Sequence, residues 1–212
     1  MNLKYYYYYF QKALTPRFCD ELIKYGVSQQ DQLALTGDQS IKVDKGKPLD
    51  DKDIKDLKKS RDSNVAWLND KWIYKEIQPF IHQANQLAGW NFDWDFSESC
   101  QFTKYKLNQF YDWHCDSWKG PLDTPKDLNS HGKIRKLSVT CSLSDPKDYK
   151  GGELEFDFRN NYTDKKSVRK CAEIKQKGSV VVFPSHLWHR VKPVTKGTRY
   201  SLVMWNLGYP FK

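Results

Sequence analysis

His114-Cys115-Asp116, a later His189, and Arg199 ten residues beyond it carry the chemistry legible in this chain. Two imidazoles and one carboxylate are the donor set of a facial-triad ferrous site, which leaves open positions for substrates. A guanidinium donates two parallel hydrogen bonds to a carboxylate, so Arg199 suits the far end of a dicarboxylic co-substrate. His-x-Asp on a strand directs both side chains to one face, because residues two apart point the same way. The run Phe183-Pro184-Ser185-His186-Leu187-Trp188 closes an apolar strand and leads into His189, a third ligand from a neighbouring strand. His-x-Asp alone is a weak motif, and a surface His beside an Asp is the bland alternative.

These residues need a scaffold, and the second half of the chain supplies one with period two. Leu137, Val139, Cys141 and Leu143 alternate with Ser138, Thr140 and Ser142, as a half-buried strand does. Leu154, Phe156 and Phe158 alternate with acids after Gly151-Gly152, and 179–183 and 200–207 read as further strands. Upstream, Thr15 and Pro16 open a first helix that Gly26 closes just past its end. A second helical region spans about 69–88, closed by Gly89, and Pro79 inside it predicts a kink or two abutting helices. The polar stretch from Gln29 to about Ser60 reads as a loop, and a loop that long is often a lid or a functionless excursion. The tyrosine run at 5–9 reads as an N-terminal strand. Helices first and short strands afterwards predict an α+β chain with a β-sandwich or barrel as its body.

Composition narrows the class. A length of 212 residues suits one domain, 1–212, with a helical support region to about residue 95 and a catalytic core over about 96–212. With 39% hydrophobic residues, 8 Trp, 13 Tyr and 11 Phe, the chain can bury a core and is not disordered. No apolar run approaches a bilayer span, and Met1-Asn2-Leu3-Lys4 lacks a signal-peptide core, so a soluble, cytoplasmic protein without a membrane partner is expected. Five widely spaced cysteines without a CxxC pair exclude a disulfide framework and a thiolate zinc site. The net charge of +9 comes largely from Lys interspersed with Asp and Glu, which reads as a solvated face before it reads as a nucleic-acid surface.

Four blocks give the chain a resemblance: Arg61 through Leu68, Tyr105 through Asp116, Arg135 through Phe156 with Gly151-Gly152-Glu153, and Val182 through Trp205. Together they resemble the prolyl 4-hydroxylase group of 2-oxoglutarate/Fe(II) dioxygenases, in particular its small microbial and viral PKHD-type members. That resemblance implies a double-stranded β-helix (jelly roll) flanked by N-terminal helices. It implies Fe(II) on His114, Asp116 and His189, with the 2-oxoglutarate C5 carboxylate on Arg199 assisted by Tyr105. Arg135 and Trp205 match substrate-facing positions, and Tyr111 is a further candidate. His186 competes for the third ligand position, but only His189 places Arg199 at the family spacing. His82 and His131 read as structural and loop residues, and Trp113, Trp118, Trp188 and Trp205 are candidate pocket walls. Two departures stand out: Asn108-Gln109 where Gly-Gln is usual, and Arg199 where Lys is usual.

The implied reaction consumes O₂ and 2-oxoglutarate, releases succinate and CO₂, and hydroxylates a C–H bond of a prolyl residue in a peptide or protein. Ascorbate (vitamin C) is the implied reductant. Two rivals share the fold: a nucleic-acid dealkylase, favoured by the basic charge, and a non-catalytic β-sandwich binding module. Nucleic acid is the less favoured partner, and oligomeric state is left open.

Overall fold

Strand alternation builds two antiparallel sheets, and the computed structural model describes them over residues 5–44, 46–117, 120–158 and 167–211. The larger sheet runs β1 (Tyr8–Phe10), β12 (Val180–Pro184), β8 (Ile134–Ser142), β15 (Arg199–Gly208), β6 (Cys100–Tyr105), β4 (Asn64–Leu68) and β2 (Gln32–Leu33), with β5 (Phe96–Ser97) also paired to β15. The smaller runs β11 (Val168–Lys170), β10 (Leu154–Asp157), β13 (Trp188–Val191), β7 (Phe110–His114) and β3 (Arg61–Asp62). A two-stranded ribbon of β9 (Tyr149–Gly151) and β14 (Val194–Gly197) stands beside them. Four helices, α1 (Pro16–Ser28), α2 (Gly37–Asp44), α3 (Asp51–Ser60) and α4 (Lys71–Leu87), precede most of the strands.

The two faces of the larger sheet have opposite character. On one, Leu137, Val139, Cys141, Val180, Val182, Leu202 and Met204 pack on Cys19 and Leu22 of α1 and on Ile73, Ile77 and Ile81 of α4. On the other, Tyr105, Val181 and Phe183 meet Leu154, Phe156 and Val191 of the smaller sheet, with Phe156 and Phe183 in edge contact at 4.9 Å. The alternation along β8 therefore does not mark a half-buried strand. Ser138, Thr140 and Ser142 are as buried as the residues between them, and face the space between the sheets. Thr103 and Ser201 add hydroxyls to that same interior face. Hydrocarbon on the helix side holds the layers together, while the hydroxyl side leaves a polar interior for a site.

Several expected boundaries move. Thr15 caps α1 by accepting from Phe18 N–H, but Gly26 lies inside the helix, not beyond it. A Cβ there would sit 2.5 Å from Phe102 Cγ, so glycine is what lets α1 approach β6. Gly26→Val is expected to cost about 1–3 kcal/mol by overpacking, read as a lower urea midpoint at unchanged slope. An unchanged midpoint would show the contact to be soft. The region 69–88 forms one helix that runs through Pro79, not two. The stretch 29–60, expected as loop, contains β2, α2 and α3. Asp50 and Asp53 form a reciprocal capping box on α3, with acids in its first turn and Lys58 and Lys59 in its last, so caps and dipole complementarity compensate for sparse apolar content. Only the end of the tyrosine run enters β1. The first 95 residues thus supply four strands as well as helices, two of them (β4 and β3) next to the edge of one sheet and at the edge of the other. All five cysteines are free thiols, and no helix among the described residues is long and apolar enough to cross a membrane.

Candidate active site

His114 and His189 are direct cross-strand partners on β7 and β13. The next pair in the ladder is Val191 with Tyr111: a two-residue step on β13 matches a three-residue step on β7, so a β-bulge falls at Asp112-Trp113. The bulge resets the alternation. Tyr111 and His114, which strict period two would send to opposite faces, stack face to face at 3.5 Å between ring centres. Asp116 lies past the end of β7, not on the strand as His-x-Asp suggested. It is held there because Asp116 N–H and Ser117 N–H both donate to Ser185 O at 2.9 Å, in the turn between β12 and β13. The same turn, closed by Leu187 N–H to Pro184 O, delivers His189.

The three side chains converge, with one donor atom from each within 4.8 Å of the others. His114 Nδ1 lies 2.8 Å from Asp112 O and His189 Nδ1 lies 2.9 Å from Leu187 O. A ring nitrogen that close to a carbonyl carries the proton, which leaves each Nε2 with a lone pair. Those two Nε2 atoms face the Asp116 carboxylate at 3.7 and 3.6 Å. Two lone pairs directed at an anion repel it unless a cation sits between them. Burial, then the neighbouring His189, pushes the His114 pKa down to about 3, so its imidazole is neutral near neutral pH. Burial works against ionised Asp116, but the positive charge that His189 and His114 carry when protonated, and then that of Arg135, outweighs it and holds the carboxyl below its usual range. Two neutral imidazoles and one carboxylate on one side of a point, other positions open, fit a ferrous ion.

Arg199 is 2% exposed, paired in register with Tyr105 across β15 and β6. Its guanidinium lies 5.4 Å from the Tyr105 ring centre, and its one hydrogen bond among the described residues is from Nη1 to Ser201 Oγ at 3.1 Å. No carboxylate is paired with it there. Burial pushes the Tyr105 phenol up, against the pull of Arg61 and Arg199, while the Asp116 charge also reaches it. Tyr105 is thus within electrostatic reach of both the triad carboxylate and the buried cation. Arg135 makes a two-pronged ion pair with Glu98, with Nη2 to Oε1 at 3.0 Å, and stacks its guanidinium 4.0 Å from the Trp205 ring centre. Trp205 Nε1 is buried without a hydrogen-bond partner among the described residues, and the half-exposed Trp67 lies 6.2 Å away, ring centre to ring centre.

Arg61 is a site residue that spacing did not disclose. It is 5% exposed, places its guanidinium 4.4 Å from the Tyr111 ring centre, and is tied by Nη1 to Leu35 O and by Nε to Ser63 Oγ. Its Nη2 is buried with no acceptor among the described residues. Burial, partly offset by that Arg61 charge, pushes the Tyr111 phenol up to about 12. Glu98 was likewise unforeseen. Asn108 adopts φ +65°, a left-handed conformation glycine takes freely and Asn tolerates, so Asn108 can serve where Gly is usual.

Other candidates lie elsewhere. His186 is exposed in its turn and outside the cluster. His82 is exposed and stacked on Trp94 at 4.6 Å, and His131 is an exposed loop residue that accepts from Thr124 N–H. Trp113 carries the Arg190 guanidinium 4.5 Å from its ring centre. Arg190 and Trp188 flank His189 on β13 and so point to the opposite face. Trp113 and Trp188 thus lie on the outer side of the smaller sheet, not in a pocket wall. Trp118 lies outside the described residues.

Comparison with known proteins agrees with this geometry. Residues 100–206 match the family model of the 2OG-Fe(II) oxygenase superfamily. A PKHD-type hydroxylase of Pseudoalteromonas atlantica is 35% identical over 107 residues, which is 50% of this chain and 41% of that protein. One from Gloeothece citriformis gives the same identity and coverage. The matched region thus spans about two fifths of the length of these relatives. Among solved structures, the viral collagen prolyl hydroxylase of Paramecium bursaria Chlorella virus-1 superimposes with a TM-score of 0.61 at 19% identity, covering 96% of this chain and 97% of that one. A Pseudomonas putida prolyl-4-hydroxylase gives 0.57 at 17% identity, covering 95% and 91%. With half its length matched by the family model and a two-histidine, one-carboxylate cluster between its sheets, this chain belongs to the 2OG-Fe(II) oxygenase superfamily.

Proposed function

We propose that this chain is a Fe(II)- and 2-oxoglutarate-dependent dioxygenase that hydroxylates a prolyl residue in a peptide or protein, releasing succinate and CO₂, with ascorbate as reductant. The observation that carries the reading is the convergence of His114, Asp116 and His189 in a polar interior that also holds a buried, carboxylate-free Arg199. Iron held by those three side chains supplies the oxygen chemistry when bound. The chain's own residues do the positioning. Nδ1–H bonds to Asp112 O and Leu187 O fix both imidazoles, and Tyr111 and Phe183 buttress them through ring contacts. Arg199 receives the far carboxylate of 2-oxoglutarate, with Tyr105 beside it, and orients the molecule toward the triad.

For the main substrate, the supporting residues are Trp205, Arg135, Trp67 and Arg61. Trp205 Nε1 and Arg61 Nη2 are buried donors without acceptors among the described residues, which the carbonyl oxygens of an extended peptide would satisfy. Trp205 and the half-exposed Trp67 present aromatic surface on which a pyrrolidine ring can pack. Prolyl hydroxylation is the named activity of the structural neighbours, one of them, from Trichoplax adhaerens, solved with a peptide fragment of hypoxia inducible factor. The test is mass spectrometry of proline-containing peptides after incubation with Fe(II), 2-oxoglutarate, O₂ and ascorbate. A gain of one oxygen mass on proline, matched by succinate release, is expected. Turnover on a free amino acid, with no proline peptide modified, would overturn the substrate assignment.

A further inference from the structure

Arg199 also forms the floor of a second cavity. The cavity holds about 300 Å³, the lower end of the range for ligand pockets. Gly152 and Leu154 share its buried floor with Arg199, and Lys150, Lys170 and Lys175 stand exposed at its rim. None of His114, Asp116, His189, Trp67, Arg135 or Trp205 lines it, so its lining is distinct from the triad and from the aromatic surface of Trp67 and Trp205.

Its walls are built to stay open and positive. Gly152 adopts φ +63°, and a Cβ there would lie 2.7 Å from Arg199 Cδ, so any side chain would press on the floor. Glu153 is the acid in the lining, and Lys170 answers it at 3.0 Å. Lys150 and Lys175 make no ion pair among the described residues. The funnel is thus one of charge: three exposed lysines surround a lining that includes the buried Arg199 cation, which keeps N–H donors beyond its bond to Ser201. Such a gradient concentrates small anions and raises their association rate, in a salt-dependent way.

We propose that this funnel is the channel by which the anionic co-substrate enters and leaves, distinct from the mouth that receives the main substrate. The proposal rests on the functional reading above. A peptide seated over Trp205 covers the mouth, and a second opening lets a small dicarboxylate exchange independently of it.

The test is rapid mixing of metal-loaded protein with 2-oxoglutarate without oxygen, followed by tryptophan fluorescence and, with Fe(II), by the weak visible band. Ala172→Trp fills an exposed rim position. It is expected to slow association and dissociation by the same factor and leave Kd unchanged, the signature of a plugged channel. A K150E/K175E double variant is expected to lower the association rate by about tenfold at low salt, the deficit shrinking as salt rises. Neither change should alter KM for a peptide. Wild-type rates in both variants, or a weakened Kd in Ala172→Trp with unchanged association, would overturn the channel. Failure of the unmodified protein to bind 2-oxoglutarate at all would instead remove the co-substrate reading itself.

Discussion

His189→Ala is expected to lower divalent-metal affinity by well over a hundredfold, given that losing a partner outside the coordination shell alone costs about 10–100-fold. His186→Ala, three residues away, is expected to leave it unchanged. The difference follows from geometry: His189 Nε2 lies 3.6 Å from Asp116 and opposite His114 across the ladder, whereas His186 is exposed in the turn. Removing His189 leaves one imidazole and one carboxylate, which hold a ferrous ion weakly. The visible band formed with Fe(II) and 2-oxoglutarate under anaerobic conditions should therefore disappear in His189→Ala and survive in His186→Ala. A thermal readout accompanies it: Mn(II) should raise the melting temperature of the unmodified chain and of His186→Ala, but not of His189→Ala, because a ligand stabilises only the state it binds. The opposite pattern would mean that the wrong histidine has been assigned.

That cluster was legible because two of its terms are spacings. The two-residue step from His114 to Asp116 and the ten-residue step from His189 to Arg199 are visible in the chain, and His114 sits where a strand ends. The path to that geometry was not legible. Asp116 reaches the site from a bend pinned to Ser185, and Tyr111 reaches His114 through a bulge, neither of which has a period. Arg61 and Glu98 come from β3 and the β5–β6 connection, and only pairing through β7 and Arg135 brings them near. Arg61 did leave a trace, since it opens one of the four blocks that carry the family resemblance. The helices α2 and α3 were hidden by scarce apolar content, since α3 offers only Ile54 and Leu57, of which Leu57 is buried, and its clearest sequence signal is the capping pair Asp50 and Asp53. The hydroxyls of β8 misled in an instructive way: alternating polarity normally reports solvent, but a polar cavity buried between sheets produces the same pattern.

Arg199→Met is expected to separate function from stability. A guanidinium at 2% exposure, with one hydrogen bond and no paired carboxylate among the described residues, is costly to the unliganded fold. Exchanging a buried charge for a well-packed apolar group of similar volume is often neutral, or stabilising by about 1–4 kcal/mol. In a chain of 212 residues, a gain of 1–2 kcal/mol corresponds to a melting temperature higher by about 2–8 °C. Binding of 2-oxoglutarate should move the other way. Loss of a charge-assisted, buried partner for its carboxylate costs about 2–4 kcal/mol, or roughly 30- to 700-fold in Kd. Arg199→Lys keeps the charge but loses the fork, so a loss of about tenfold, one hydrogen bond's worth, is expected for it. Added 2-oxoglutarate should accordingly raise the melting temperature of metal-loaded wild type strongly, of Arg199→Lys less, and of Arg199→Met hardly at all. If Arg199→Met instead melted lower and bound 2-oxoglutarate normally, Arg199 would be a packing residue bonded to Ser201 beside the Tyr105 ring, and the dicarboxylate would have to be held by another cation.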